Sequence, residues 1–179
     1  MPKGVPRPVC RNGVFVMIGY LLLAAALIGV DVAIKYWAVA VLAPVTTIPV
    51  IPGVFSLYYH QNYGAAWGIF QGQRAFLLIV TGVVLLGLTI ALALKKFHGR
   101  LVNLSVALII AGGVGNLLDR LFREGGYVVD YLYFELINFP IFNFADSCVV
   151  VGTCLLAIYI IFLEGKKKDL GPTPQQPQQ

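Results

Sequence analysis

Charged residues are scarce in this chain. Asp, Glu, Lys and Arg together make up 12% of its 179 residues, and hydrophobic residues make up 59%. Soluble globular domains carry roughly 25% charged residues, so a shortage of this size excludes an ordinary water-soluble domain. A lipid bilayer is therefore the expected solvent.

Histidine and cysteine are also few. The two histidines, His60 and His98, are expected on opposite sides of a membrane, whereas a metal centre needs several clustered His, Cys or carboxylate ligands. Cys10 is expected on the cytoplasmic side, and Cys148 and Cys154 point in different directions on one helix, so no disulfide framework is indicated. We expect no metal, no cofactor and no disulfide.

Charge is missing altogether from four long runs. Each run reaches the roughly 17 to 20 residues that a membrane-spanning helix needs. They predict transmembrane helices at about residues 12–31, 74–95, 100–119 and 145–164. A further uncharged run, 36–59, is interrupted by three prolines and contains strand-forming residues, and it predicts a β-rich extracytoplasmic segment at about 44–60.

Positive charge is concentrated at one side of these predicted helices. Nine of the thirteen Lys and Arg residues lie there, and the positive-inside rule makes that side the cytoplasm, with both termini inside. The net charge of +5 then reflects topology and anionic lipid headgroups, and no nucleic-acid partner is expected. We predict one integral membrane domain over residues 1–164 and a disordered, Pro- and Gln-rich cytoplasmic tail over 165–179.

Two aspartates near the predicted outer side have apolar neighbours and no adjacent cation. These are Asp130 and Asp146, and desolvation with mutual repulsion would raise the pKa of one of them. A carboxylate pair that shares a proton can act as general base and general acid in amide hydrolysis. Asp119, in contrast, has Arg123 four residues on, which favours a structural salt bridge.

The sequence is also compatible with purely structural roles for these residues. Asp146 or Asn143 could cap the fourth helix, and Asp130 could simply solvate a loop. Asn62 and Asn116 could be hydrogen-bonding contacts between helices. An ion-coupled membrane transporter is an alternative function, because transporters also use intramembrane carboxylates.

The polar segments occur in the order of the motifs of a known family. Five of them resemble the motifs of the lipoprotein signal peptidases, also called signal peptidase II, and together the matching region covers about residues 13–164. The segments are Asp31 to Trp37, Asn62 to Gly68, Gly115 to Arg120, Val128 to Tyr131 and Phe142 to Ser147.

This resemblance implies a function and a set of site residues. Family members are aspartic endopeptidases of the bacterial inner membrane that cut a prolipoprotein just before a diacylglyceryl-modified cysteine, and Asp130 and Asp146 would be the catalytic pair. Membrane lipids would be the other partners of a monomeric enzyme whose site lies near the extracytoplasmic face. Residues expected to bind substrate or support the pair are Asp31, Lys35, Asn62, Gly64, Asn116, Asp119, Arg120, Asn143 and Ala145.

The implied fold is a mainly α membrane protein. It is a four-transmembrane-helix bundle with a small extracytoplasmic β-sheet and an extracytoplasmic helix or loop between helices 3 and 4. Two positions depart from the usual family residue, since Trp67 and Tyr131 stand where phenylalanine is frequent.

Overall fold

Four apolar helices form the body of the molecule. The computed structural model describes residues 11–65, 69–97 and 99–164, so the predicted tail at 165–179 and Trp67 lie outside the described residues. All four helices are long and apolar enough to cross a membrane, which confirms the predicted number of spans. They are α1 Arg11–Leu42, α2 Arg74–Ala93, α3 Arg100–Phe122 and α4 Phe144–Ile158, and a π-helical turn, Tyr159–Glu164, continues α4.

Helix α1 is longer than the sequence predicted. It continues to Leu42 instead of ending near residue 31, so Asp31 and Lys35 lie inside the helix and not at its end. No proline interrupts the helix before Pro44, and the chain leaves helical geometry at a turn in which Thr46 has a φ of 67°. The prediction failed here because it ended the helix at the first charged residues of the run, whereas Asp31 and Lys35 pair with each other inside the helix.

A three-stranded antiparallel sheet lies at one end of the bundle. Its strands are β1 Thr47–Ile51, β2 Phe55–Asn62 and β3 Val128–Phe134, in the order β1-β2-β3. The first two confirm the predicted β-rich segment. The third corrects the prediction of a helix or loop between helices 3 and 4, because that connection is mainly a strand flanked by single helical turns at Glu124–Gly126 and Glu135–Ile137.

The two faces of β3 have different partners. Val129 and Tyr131 pack against Ala38 and Leu42 of α1 in a buried apolar cluster. Side chains alternate between the faces of a strand, so Asp130 points to the opposite face. The apolar residues around Asp130 thus fix the direction of its carboxylate.

Helix α3 is central and lies very close to α4. A Cβ atom on Gly112 would meet the carbonyl oxygen of Ala145 and lie 2.7 Å from Cγ2 of Val149. A Cβ on Gly152 would lie 2.7 Å from the carbonyl oxygen of Ser105. Small residues let membrane helices approach each other in this way, and here they bring the ends of α3 and α4 together.

A buried ion cluster ties α1 to α3. The fully buried Lys35 Nζ lies 2.9 Å from Asp31 Oδ2 and 3.1 Å from Asp119 Oδ2, and it donates a 2.9 Å hydrogen bond to Asn116 Oδ1. The predicted ion pair between Asp119 and Arg123 is also present, with 2.6 Å between Oδ1 and Nε. Removing one partner from such a cluster leaves a buried charge uncompensated.

We expect Gly112→Ala to lower stability by about 1 to 3 kcal/mol, because the new methyl group would push α3 and α4 apart. Thermal unfolding in detergent measures the effect. Gly87→Ala is the matched control, since a Cβ there has no neighbour within 4 Å. Equal melting temperatures for the two variants would contradict the close packing of α3 on α4.

We expect Lys35→Met to destabilise the protein by about 3 to 5 kcal/mol, because it leaves Asp31 and Asp119 buried without their shared ammonium group. Lys96→Met removes the same group from an exposed position and serves as control. Chemical or thermal unfolding of both variants compares the two losses. A Lys35 variant as stable as the control would show that the ion cluster contributes little.

Candidate active site

Asp130 lies in β3 with its carboxylate almost fully buried. It is 1% exposed, and each of its oxygens accepts one side-chain amide hydrogen bond. Asn62 Nδ2 donates to Oδ2 at 2.9 Å, and Asn143 Nδ2 donates to Oδ1 at 2.7 Å. The two amides come from β2 and from the start of α4, so the carboxylate is held between sheet and bundle.

Asp146 lies in the first turn of α4 and is more accessible to solvent. Its Oδ1 accepts a 2.7 Å hydrogen bond from Asn116 Nδ2, and its Oδ2 accepts a 3.1 Å bond from the Asn143 backbone N–H. In return, Asn143 Oδ1 accepts the backbone N–H of Asp146 at 2.9 Å. The helix-cap interpretation of both residues is therefore correct, since together they form a capping box.

Asn143 also connects the two aspartates. Its fully buried amide donates to Asp130, as described above, and to Asn116 Oδ1 at 3.1 Å. Asn116 donates in turn to Asp146, so an unbroken chain of hydrogen bonds joins one carboxylate to the other. Capping and bridging are thus two roles of the same side chain.

The electrostatic environment favours a protonated Asp130. Burial is the largest cause, the negative charge of Asp146 is the second, and together they raise the pKa of Asp130 to about 7. Hydrogen bonds from Asn62 and Asn143 stabilise the carboxylate and limit the rise. Near neutral pH, Asp130 therefore exchanges a proton readily.

Two arginines position the turn that carries Asn62. The Gly64 backbone N–H donates to Asn62 Oδ1 at 2.9 Å, and Arg120 Nη2 donates to the Gly64 carbonyl at 2.6 Å. Arg74, at the start of α2, donates from Nε to the Arg120 carbonyl at 2.8 Å and from Nη2 to the Leu121 carbonyl at 3.1 Å. The end of α3 therefore holds the Asn62 amide in place through Arg120 and Gly64.

The remaining predicted site residues support the start of α4. The Ala145 N–H donates to Asp31 Oδ1 at 3.1 Å, so α1 satisfies a free amide at that helix end. A side chain at Gly115 would run into Asp31 Oδ2. The structure thus brings every residue that the sequence singled out into one connected region, with Asp31, Lys35 and Asp119 on its inner side.

Sequence reasoning missed two contributors. The Tyr131 hydroxyl accepts a 3.1 Å hydrogen bond from the Phe144 N–H, a contact that phenylalanine could not make. Arg74 was overlooked although it is a lone cation at the start of an apolar span. Among the described residues, no three His, Cys, Asp or Glu side chains are grouped in a way that could hold a metal ion.

Comparisons with known proteins point to one family. The model of a family described as signal peptidase (SPase) II matches residues 23–162. The chain is 41% identical to the lipoprotein signal peptidase of Clostridium acetobutylicum, covering 82% of this chain and 96% of that protein. The corresponding protein of Brevibacillus brevis is 42% identical, with 83% and 97% covered.

Solved structures with the same fold are bacterial membrane enzymes. One, determined by the in meso method at 2.3 Å resolution, has a TM-score of 0.66 and 25% identity, with 95% of this chain and 96% of that chain covered. A second, at 1.9 Å resolution, has a TM-score of 0.62 and 27% identity, with 87% and 96% covered. With its four spans, this protein is a multi-pass bacterial membrane protein, and the chain belongs to the signal peptidase II family.

Proposed function

We propose that this chain is an intramembrane aspartic endopeptidase that matures lipoproteins. Its substrate would be a prolipoprotein whose cysteine carries diacylglycerol, and it would hydrolyse the peptide bond just before that cysteine. Family membership and the names of the relatives support the substrate class. The observation that carries the chemistry is the pair Asp130 and Asp146, joined through amides at one end of the bundle.

The two aspartates have different surroundings and therefore suit different roles. Asp146 is the more exposed, so in its ionised form it would take a proton from a water molecule as the water attacks the scissile carbonyl carbon. Asp130, whose pKa of about 7 keeps it partly protonated, would give its proton to the carbonyl oxygen. This step yields a neutral gem-diol.

Collapse of the gem-diol completes the reaction. Asp146, now protonated, gives its proton to the leaving nitrogen as the carbon–nitrogen bond breaks. One hydroxyl of the gem-diol returns its proton to Asp130 and becomes the carbonyl of the new carboxyl terminus. Both aspartates then have their starting protonation states, and one water has been consumed without a cofactor.

The substrate has to be extended where it meets the pair. A helical peptide bond has its N–H and C=O engaged within the helix and is shielded by neighbouring turns. The amide of Asn62 lies beside Asp130, is only partly buried and is placed to hold an unwound backbone. Residues just before the cysteine would thus leave the signal helix at this point.

Charge distribution supports the orientation of the enzyme. Lys95, Lys96 and Arg100 lie at the connection between α2 and α3, at the end of the bundle opposite the sheet. We therefore place the sheet and the aspartate pair near the extracytoplasmic face, with both termini in the cytoplasm. The acyl chains of the substrate would stay in the outer leaflet, and lipids would contact the apolar outer faces of a monomer.

The transporter alternative receives no support. The matched family is a peptidase family, and the paired carboxylates lie at one end of the bundle and not along a path through it. Peptide hydrolysis accounts for the same residues without further assumptions.

We expect Asp130→Asn and Asp146→Asn each to lower cleavage of a diacylglyceryl-modified precursor at least 100-fold, because an amide cannot carry the proton. A gel-shift assay with purified enzyme measures this. Glu124→Gln neutralises an exposed carboxylate outside the site and should keep full activity. An active, folded Asn variant at either position would eliminate that residue from the proposed pair.

We expect the cleavage rate to fall as the pH rises above about 7, because Asp130 then loses the proton that it donates. Asn62→Ala removes a hydrogen bond that stabilises the ionised form, so it should move this alkaline limb to higher pH. Initial rates of both proteins from pH 5 to 10 give the comparison. If the alkaline limb does not move in Asn62→Ala, a group other than Asp130 causes it.

A further inference from the structure

A groove runs along the face of the sheet that carries Asp130, beside the aspartate pair. It consists of two adjoining cavities of about 200 Å³ and about 660 Å³. Both are lined by His60 of β2 and by Pro140 and Ile141 from the segment before α4. The shared lining makes them one continuous depression with His60 near its middle.

One end of the groove reaches the site. Asn62 lines the smaller cavity and donates its amide hydrogen bond to Asp130. His60 is paired with Asp130 across β2 and β3, and residues that face each other in an antiparallel pair project from the same side of the sheet. The wall at Ile141 continues directly to Asn143. A chain leaving the aspartate pair along this face therefore enters the groove.

The lining is polar and aromatic but carries no formal charge among the described residues. Gln61 and Gln71 line the smaller cavity, while Tyr58, Tyr133 and Asn138 line the larger one. Burial lowers the pKa of His60, so its imidazole is neutral at pH 7 and can both donate and accept a hydrogen bond. These groups suit the backbone of an uncharged or weakly polar extended peptide.

We propose that this groove binds the first residues of the mature lipoprotein, those that follow the modified cysteine. This inference rests on the proposed function. Of the three parts of the substrate, the signal helix and the acyl chains are apolar and belong in the bilayer, whereas the mature segment is the part that leaves toward water. From Asn62 to Tyr58 the groove follows β2 for ~13 Å, which is about four extended residues.

Two precursors test the proposal. Both carry the same signal peptide and diacylglyceryl cysteine, but one ends in an amide at the cysteine and the other continues for six residues. We expect wild type to cleave the longer precursor with at least tenfold higher kcat/KM. In His60→Ala and Gln71→Ala this ratio should fall at least fivefold, and it should stay unchanged in Val50→Ala, an exposed β1 residue outside the groove.

The outcomes separate this inference from the proposed function. If wild type cuts both precursors equally well, or if the ratio persists in the two groove variants, the groove does not bind the mature segment. If wild type cuts neither precursor, the proposed function itself is wrong and the inference falls with it.

A measurement on the unmodified enzyme provides a second check. A photoreactive residue placed three positions after the cysteine of the longer precursor should cross-link to residues 58–60 or 138–141, which can be identified by mass spectrometry. Cross-links confined to α2 or α4 would place the mature segment elsewhere and overturn the proposal.

Discussion

Two carboxylates that repel each other are held together at the end of an apolar bundle, and the rest of the structure depends on meeting that constraint. Asn143 meets it directly, because its buried amide contacts Asp130 and continues through Asn116 to Asp146. Neutral amides can stabilise either protonation state, whereas an adjacent cation would favour the doubly ionised pair. Lys35 is instead engaged by ion pairs with Asp31 and Asp119.

Each larger feature of the fold contributes to this arrangement. The packing of Val129 and Tyr131 on α1 directs Asp130 to the other face of the sheet. Close contact of α3 and α4 at Gly112 brings Asn116 within reach of Asp146. The extension of α1 to Leu42 supplies the surface on which the sheet rests. Helix packing and sheet register therefore act on the site through a few hydrogen bonds.

Local sequence signals predicted the parts of the structure that local forces determine. Uncharged runs located the four spans, and the Asp119 to Arg123 spacing predicted an ion pair that is present. The strand β3 was missed although Val128 to Phe134 is rich in strand-forming residues, because its partner β2 is far away in sequence. The end of α1 was also missed, because Asp31 and Lys35 form a buried pair inside the helix and do not mark its end. The bridging role of Asn143 depends on three separate elements, so no local pattern could reveal it. The site residues were predicted from the resemblance of the sequence motifs to those of the family.

The capping box at the start of α4 fixes the direction of the Asp146 carboxylate. Both oxygens of Asp146 are engaged, one by the Asn143 backbone and one by Asn116, so the carboxylate has no free rotation. Its direction is set when the helix folds, before any peptide arrives. Preorganised groups of this kind need no reorientation during a reaction. In the proposed mechanism, the side chain that completes the helix is thus also aligned for catalysis, and each turnover begins from the same geometry.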